Sequence, residues 1–340
     1  MYEKFYGLRE RPFDLTPDPR YFVLTDSHRE ALSNLEYAIA SRKGITLLIG
    51  EAGSGKTTVI STALERQTST VHCIHLTNPA LTREEFVEIL AARFDLSEHA
   101  RTSKAALLLE LEQLLRRRQA AGETSVLIVD EAQSLSFELL EEVRLLANLE
   151  SHNEKLLSLI IAGQPELSNQ LNQDNLRQLK QRVALRCELH ALTLPEAMTY
   201  FAGRIKAAGG IAAHVFSREA VAVLHEHARG IPRVMNVLAD NALISAFARG
   251  KSPVTSDIVR EVARDFHLGV AAPDAFVPEV RSSQMMAVER SSDPQPGVEV
   301  PGQPKPAPAD PAASVHPADM FADVTASRWR FPFFRRRGIA

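Results

Sequence analysis

The sequence predicts an α/β fold: a parallel sheet with helices on both faces, followed by a small all-α region and a disordered C-terminal tail. Through the first half of the chain, apolar runs of strand length alternate with helical patterns, as a parallel sheet requires. From about residue 193 the strand-like runs stop and helical segments with short joints take over. After about residue 268, Pro, Ala, Ser and acids replace the bulky apolar residues.

Four apolar runs read as buried strands: "GITLLIG" (44–50), "TVHCIHL" (70–76), "SVLIVD" (125–130) and "LLSLIIAG" (156–163). Between them, "LTREEFVEILAARF" places Thr82 three residues before Glu85, the spacing of a capping box. "SKAALLLELEQLLRRR" and "SFELLEEVRLLANL" are longer amphipathic helices. Four more helices follow: "LPEAMTYFAGRIKAAG", "SREAVAVLHEHARG", "PRVMNVLADNALISAFARG" and "TSDIVREVARDF". The expected organisation is an α/β domain over 1–192, a helical lid over 193–268, a Pro-rich disordered linker over 269–327 and an Arg/aromatic tail over 328–340.

Composition narrows the function classes. The chain has 340 residues, of which 45% are hydrophobic and 24% charged, an ordinary soluble balance. A net charge of −3 supplies no global field for nucleic acid or anionic lipid. Two cysteines, Cys73 and Cys187, predict no disulfide framework and fit a reducing cytoplasm. The opening residues lack the apolar core of a secretory signal, and no apolar run approaches the ~18 residues of a membrane span.

The strongest chemical signal is "GEAGSGKTT", residues Gly50, Glu51, Ala52, Gly53, Ser54, Gly55, Lys56, Thr57 and Thr58. It fits G-x-x-x-x-G-K-[ST] between a strand and a helix, the context of a phosphate loop. Glycines let backbone N–H groups close around phosphate, Lys56 supplies positive charge, and Thr57 offers a hydroxyl to Mg²⁺. In "VLIVDEAQSL" an apolar strand ends on Asp130, suited to the Mg²⁺ site, and Glu131, suited to orient and polarise an attacking water. "IIAGQPEL" ends a strand on Gln164. If that strand lies between the loop strand and the Asp130 strand, Gln164 reaches the γ-phosphate or the water. Asn78, after the "HCIHL" strand, could hold Glu131 in an inactive pose, with a plain polar residue at a strand end as the favoured reading. His72, Cys73 and His75 read as packing rather than metal ligands, because strand alternation puts His72 and Cys73 on opposite faces. "GIPRVMN" leaves two readings of Arg233: a solvated residue after a Gly230 cap, or a cation reaching back to a bound phosphate.

Together these motifs resemble AAA+ ATPases, and specifically the general secretion pathway protein A (ExeA-like) family. The opening run "MYEKFYGLRERPFDLTPDPRYFVLTDSHREAL" looks like that family's signature, alongside "GEAGSGKTT", "LIVDEAQSL", "LLEEVRLLANLE" and "IAGQPEL". The resemblance covers residues 1 to about 267. It implies an ATP-hydrolysing ring or other oligomer, with ATP and Mg²⁺, that helps build or operate an envelope export machine. It makes Arg233 a sensor of the γ-phosphate. It also makes "LRQLKQRVALRCEL" the region of a trans-acting arginine finger, with Arg182 first and Arg177 and Arg186 as alternatives. Longer members of the family continue into a membrane span and a peptidoglycan-binding region; neither is carried over to this chain.

A second function class shares the same core: a DNA-associated ATPase of the kind that partners transposases. The helical segments mix charge signs and show no basic face, which favours the export reading over nucleic acid. The last residues, "RWRFPFFRRRGIA", combine arginines with aromatics and leave several readings open: reversible contact with anionic lipid, which would bring a cytoplasmic protein to the inner membrane, a peptide that docks into a protein partner, a passive solvated end, or non-specific contact with nucleic acid.

Overall fold

The computed structural model describes residues 1–16, 19–77, 81–151 and 154–267. Asn78, and everything expected of the linker and tail within 268–340, lie outside the described residues.

Strands β1 (Ile45–Gly50), β2 (Val71–Leu76), β3 (Thr124–Val129), β4 (Ser158–Gly163) and β5 (Val183–Leu189) form one parallel sheet in the order β2-β3-β4-β1-β5. The first four fall on the apolar runs expected from sequence. The fifth, "VALRCEL", was not among the runs read as strands and adds one to them. Among the described residues β5 lies at the sheet edge and pairs with β1 alone. An edge strand buries mainly one face, here through Cys187 and Leu189, so charged Arg186 and Glu188 can alternate with them. A short helix, Arg177–Lys180, precedes it.

Alternation along each strand sends side chains to two separate cores. On one face, Val126 and Ile128 of β3 meet α1 (Asp26–Ala40) and α2 (Lys56–Glu65) through Leu35, Ile39, Val59 and Ile60. On the other, Leu127 and Val129 meet α3 (Arg83–Arg93), α4 (Glu98–Thr102), α5 (Lys104–Ala120), α6 (Phe137–Leu146), α7 (Pro165–Leu171) and the short α8 (Arg177–Lys180). Each fully buried Ile, Leu or Val side chain contributes about 1.5–3 kcal/mol, so the central strands hold the layers together. The Thr82–Glu85 capping box forms as the spacing predicts, and Thr193–Glu196 forms a second at the start of the helical region. His72 and Cys73 do face opposite ways: Cys73 packs on the α1/α2 side, while His72 Nε2 lies 2.8 Å from Glu123 Oε2.

The helical region comprises α9 (Leu194–Ala207), a short α10 (Ala212–Val215), α11 (Arg218–Ala228), α12 (Pro232–Ala248) and α13 (Ser256–Asp265) around its own core. Tyr2, Tyr6, Leu8, Phe13 and Tyr21 of the N-terminal segment join that core rather than the sheet's. Phe13 stacks at 4.9 Å on Phe201 of α9, and the Tyr6 hydroxyl donates to Lys251 O at 3.0 Å. Buried Arg204 completes the seam. Its guanidinium donates to Pro12 O (2.5 Å), Asp14 O (3.2 Å) and the Tyr200 hydroxyl (3.1 Å), and it lies over the Tyr21 ring at 4.9 Å.

Between α11 and α12 the chain turns at Gly230, with φ +71°. A Cβ there would lie 2.3 Å from Leu192 O, while Leu192 N donates to Gly230 O at 2.9 Å. This packing fixes where Pro232 and Arg233 begin α12. Gly122, at φ +77°, has no described neighbour within 4 Å of where a Cβ would stand. Alanine at Gly122 should therefore cost only the left-handed backbone penalty of about 1–2 kcal/mol. Alanine at Gly230 should cost distinctly more, read from denaturant midpoints of the two variants.

Candidate active site

The parallel register brings the C-terminal ends of β1, β3 and β4 to one edge. Ile49 of β1 pairs with Gly163 of β4, and Val129 of β3 with Ile161. The residues that follow these strands are the phosphate loop, then Asp130 and Glu131, then Gln164. β4 does lie between β1 and β3, the arrangement on which a role for Gln164 was conditional.

The loop from Gly50 to Gly55 requires its glycines. Gly53 and Gly55 hold φ of +80° and +105°. A Cβ at Gly50 would meet Ser54 Oγ at 2.6 Å, at Gly53 the Arg233 Cβ at 2.5 Å, and at Gly55 the His28 Nε2 at 3.0 Å. Lys56 opens α2 and is buried, its ammonium donating to Gly50 O (2.8 Å) and Glu51 O (3.1 Å). Burial pulls its pKa below the usual lysine value, against the opposing pull of Glu131 and Asp130. Ser54 Oγ is buried without a hydrogen-bond partner among the described residues.

Thr57 donates its hydroxyl to Asp130 Oδ2 at 2.8 Å. Asp130 is buried, and its Oδ1 accepts the Glu131 N–H at 2.9 Å. Burial pushes its pKa up, but nearby His75, the Thr57 hydroxyl and the Glu131 N–H outweigh it and leave the carboxyl below its ordinary value. His75 Nε2 lies 3.7 Å from Asp130 Oδ2, beyond hydrogen-bond reach. Strand alternation assigned His75 to packing and gave no sign of this neighbour. A hydroxyl and an ionised carboxylate side by side at a helix N-terminus are the hard oxygen donors that Mg²⁺ shares with phosphate. The residues present therefore fit both a phosphate chain and that cation.

Glu131 sits in the left-handed region at φ 54°, ψ 35°, an uncommon conformation for a residue with a side chain. Its carboxylate accepts Gln133 Nε2 at 2.6 Å and Gln164 Nε2 at 3.4 Å. Gln133 also accepts the Gln164 N–H at 3.0 Å through Oε1. The sequence reading missed Gln133; its place two residues after Glu131 in "DEAQS" was the available signal.

A cleft of ≈ 370 Å³ opens over the loop, walled by Thr16, Phe22, Tyr200, Arg204, Pro232, Arg233 and Asn236 among others. That is the size of a small-ligand site. Arg233 stands at this wall as the second residue of α12. Its backbone N–H donates to Gly53 O at 3.3 Å, and its exposed guanidinium makes no hydrogen bond or ion pair with a described residue. Arg182 lies elsewhere. It precedes β5, at the N-terminal edge of the sheet, opposite the loop. Arg186 is engaged within the chain by Glu188 and by Ser168 Oγ at 3.3 Å, whereas Arg177 and Arg182 are exposed.

Residues 39–171 match the family described as AAA domain. General secretion pathway protein A of Aeromonas hydrophila is 38% identical over 254 residues, 75% of this chain and 46% of that relative. The chain thus spans about half the length of the curated relative it matches. Among solved structures, the ORC2 protein of Aeropyrum pernix in ADPNP–ADP complexes superposes with a TM-score of 0.56 at 18% identity, covering 76% of this chain and 72% of that one. The ORC1 protein of the same organism, solved with DNA, gives 0.56 at 20% identity, covering 76% and 70%. These two likenesses establish the fold.

One histidine supports the loop from outside. His28 of α1 is buried, with Nε2 2.9 Å from Ser54 O and Nδ1 2.6 Å from Thr25 Oγ1. Burial holds its pKa below the ordinary value, against the bond to Ser54 O and the charge of Glu196. The unfolded chain therefore takes up a proton more readily than the native one. The stabilisation from the neutral ring is full above the unfolded value of about 6.5, and is lost as pH falls from there toward the depressed native value. The stability difference between wild type and His28→Gln, from urea midpoints, should shrink across that window.

Proposed function

From a chain that carries the AAA+ phosphate-loop fold and is related to general secretion pathway protein A, we propose an ATPase that hydrolyses ATP to ADP and phosphate. The carrying observation is the shared edge where Glu131, Gln164, Lys56 and the Thr57–Asp130 pair converge on the phosphate loop.

The roles follow from placement. The Gly50–Thr58 loop wraps the phosphates with backbone N–H groups, and the N-terminus of α2 adds its dipole. Lys56 has two of its three donors on loop carbonyls, which aims the ammonium along the loop toward the phosphate chain. Mg²⁺ held by Thr57, with Asp130 beside it, would neutralise charge building on the β- and γ-oxygens. Glu131 orients and polarises the attacking water once its carboxylate leaves the two amides. Gln164 stands beside it to contact the water or the γ-phosphate. Arg233, bonded to the loop through its backbone, turns its guanidinium to the γ-phosphate.

Arg182 stands at the N-terminal end of the sheet, opposite its own loop. Its exposed position beside an edge strand supports action across a subunit boundary, and so a self-associated active form. The export-machine role is supported by the relationship to general secretion pathway protein A. Among the described residues no helix is long and apolar enough to cross a membrane.

Lys56→Ala should abolish measurable ATP binding in calorimetry. Glu131→Gln should bind ATP at near-native affinity yet release no phosphate, because only the water-orienting group is lost. Wild-type turnover by Glu131→Gln would transfer the base assignment to another residue.

Arg182→Ala should keep nucleotide affinity and lose about 10³-fold or more in turnover. Mixing it with Glu131→Gln should restore part of the activity, since some interfaces then pair an intact finger with an intact base. No recovery in the mixture, with specific activity independent of protein concentration, would refute the intersubunit role.

A further inference from the structure

We propose that His28 is a positioning residue for the phosphate loop, pinning the Ser54–Gly55 peptide so that the Gly55 N–H faces a bound di- or triphosphate. The proposal rests on the reading of the cleft as a nucleotide site.

The geometry supplies the constraint. Ser54 O is an acceptor only, so the bond at 2.9 Å requires a hydrogen on His28 Nε2. The neutral ring then accepts at Nδ1, and Thr25, 2.6 Å away, donates its hydroxyl. Thr25 is also the N-cap of α1, its Oγ1 accepting the His28 N–H at 3.4 Å. Phe22 packs edge-on against the imidazole at 5.7 Å. One helix cap and one aromatic ring thus set the tautomer and the direction of a single donor.

That donor meets the loop where it is weakest. In a trans peptide the C=O and the following N–H point in opposite directions. Holding Ser54 O toward α1 turns the Gly55 N–H to the inner side of the loop. Gly55, at φ +105°, has no side chain to resist rotation of that peptide. A flipped peptide would present a carbonyl oxygen to the phosphates in place of an N–H. The glycine that lets the backbone approach the anion also frees the peptide to turn, and His28 removes that freedom. The fit is close, since a Cβ on Gly55 would already lie 3.0 Å from His28 Nε2.

The test uses ADP affinity by calorimetry on the full chain with three substitutions. Glutamine places a donor near the imidazole Nε2 position, asparagine places one near Nδ1, and leucine fills the volume without a donor. His28→Gln should bind ADP within about twofold of wild type, while His28→Leu and His28→Asn should bind about tenfold more weakly, the scale of a buried acceptor losing its donor. Leucine binding as tightly as wild type would overturn the proposal, and so would rescue by asparagine but not glutamine. Failure of the wild type to bind ADP overturns the nucleotide reading and this proposal with it; tight binding by the leucine variant overturns this proposal alone. A measurement that needs no variant is the nitrogen spectrum of labelled histidine in the wild type. It should show a buried neutral ring protonated at Nε2, and protonation at Nδ1 alone would refute the bond.

Discussion

The path of the short backbone loop between β1 and α2 constrains the whole active edge. Its glycines adopt dihedrals that other residues resist, and the elements around it exploit the space their missing side chains leave. α12 docks its first turn where a Cβ on Gly53 would stand. α1 brings His28 Nε2 within 3.0 Å of where a Cβ on Gly55 would stand. β5 closes on Gly50, whose built Cβ would lie 3.0 Å from that of Leu189. The loop is thus clamped by the sheet, by an N-terminal helix and by the helical region, and its shape is a property of the tertiary structure.

Electrostatics reinforce the clamp. Lys56 and Asp130 are both buried, and each loses hydration by it. Neither is left unsatisfied: the ammonium bonds two loop carbonyls, and the carboxylate takes a hydroxyl and a backbone N–H. Glu131 differs. It occupies a strained backbone conformation and gives its carboxylate to two neutral amides, which compensate a carboxylate less fully than a cation would. A carboxylate held by two neutral amides is released more readily than one in an ion pair, which agrees with the role proposed for it.

The seam between the N-terminal segment and the helical region serves the same cleft. Arg204 bonds the backbone at Pro12 and Asp14 while touching Tyr200, whose hydroxyl donates to Asn236 on α12, three residues beyond Arg233. The wall opposite the phosphate loop is therefore one hydrogen-bonded unit that includes the helix carrying Arg233. These bonds tie α12 to the segment that precedes the sheet.

Much was legible in the sequence because it is local. Strand periodicity located β1 to β4, Thr82 and Glu85 announced a cap, and the phosphate loop carries its chemistry in consecutive residues. Asp130 and Glu131 were readable because an apolar strand leads into them. β5 was not, since an edge strand buries one face and its charges mimic a helix surface. Gln133 and His28 were not, because each acts through a partner remote in sequence or in the fold: Gln164 for one, Ser54 for the other. The N-terminal segment also reads as a prefix to the sheet domain, yet its aromatics pack with helices from the other end of the described chain. Sequence by itself located the residues that meet at this edge of the sheet, because covalent spacing sets those motifs. Only the tertiary structure decided which residues hold them in place, because strand order and helix docking bring together groups that no spacing rule connects.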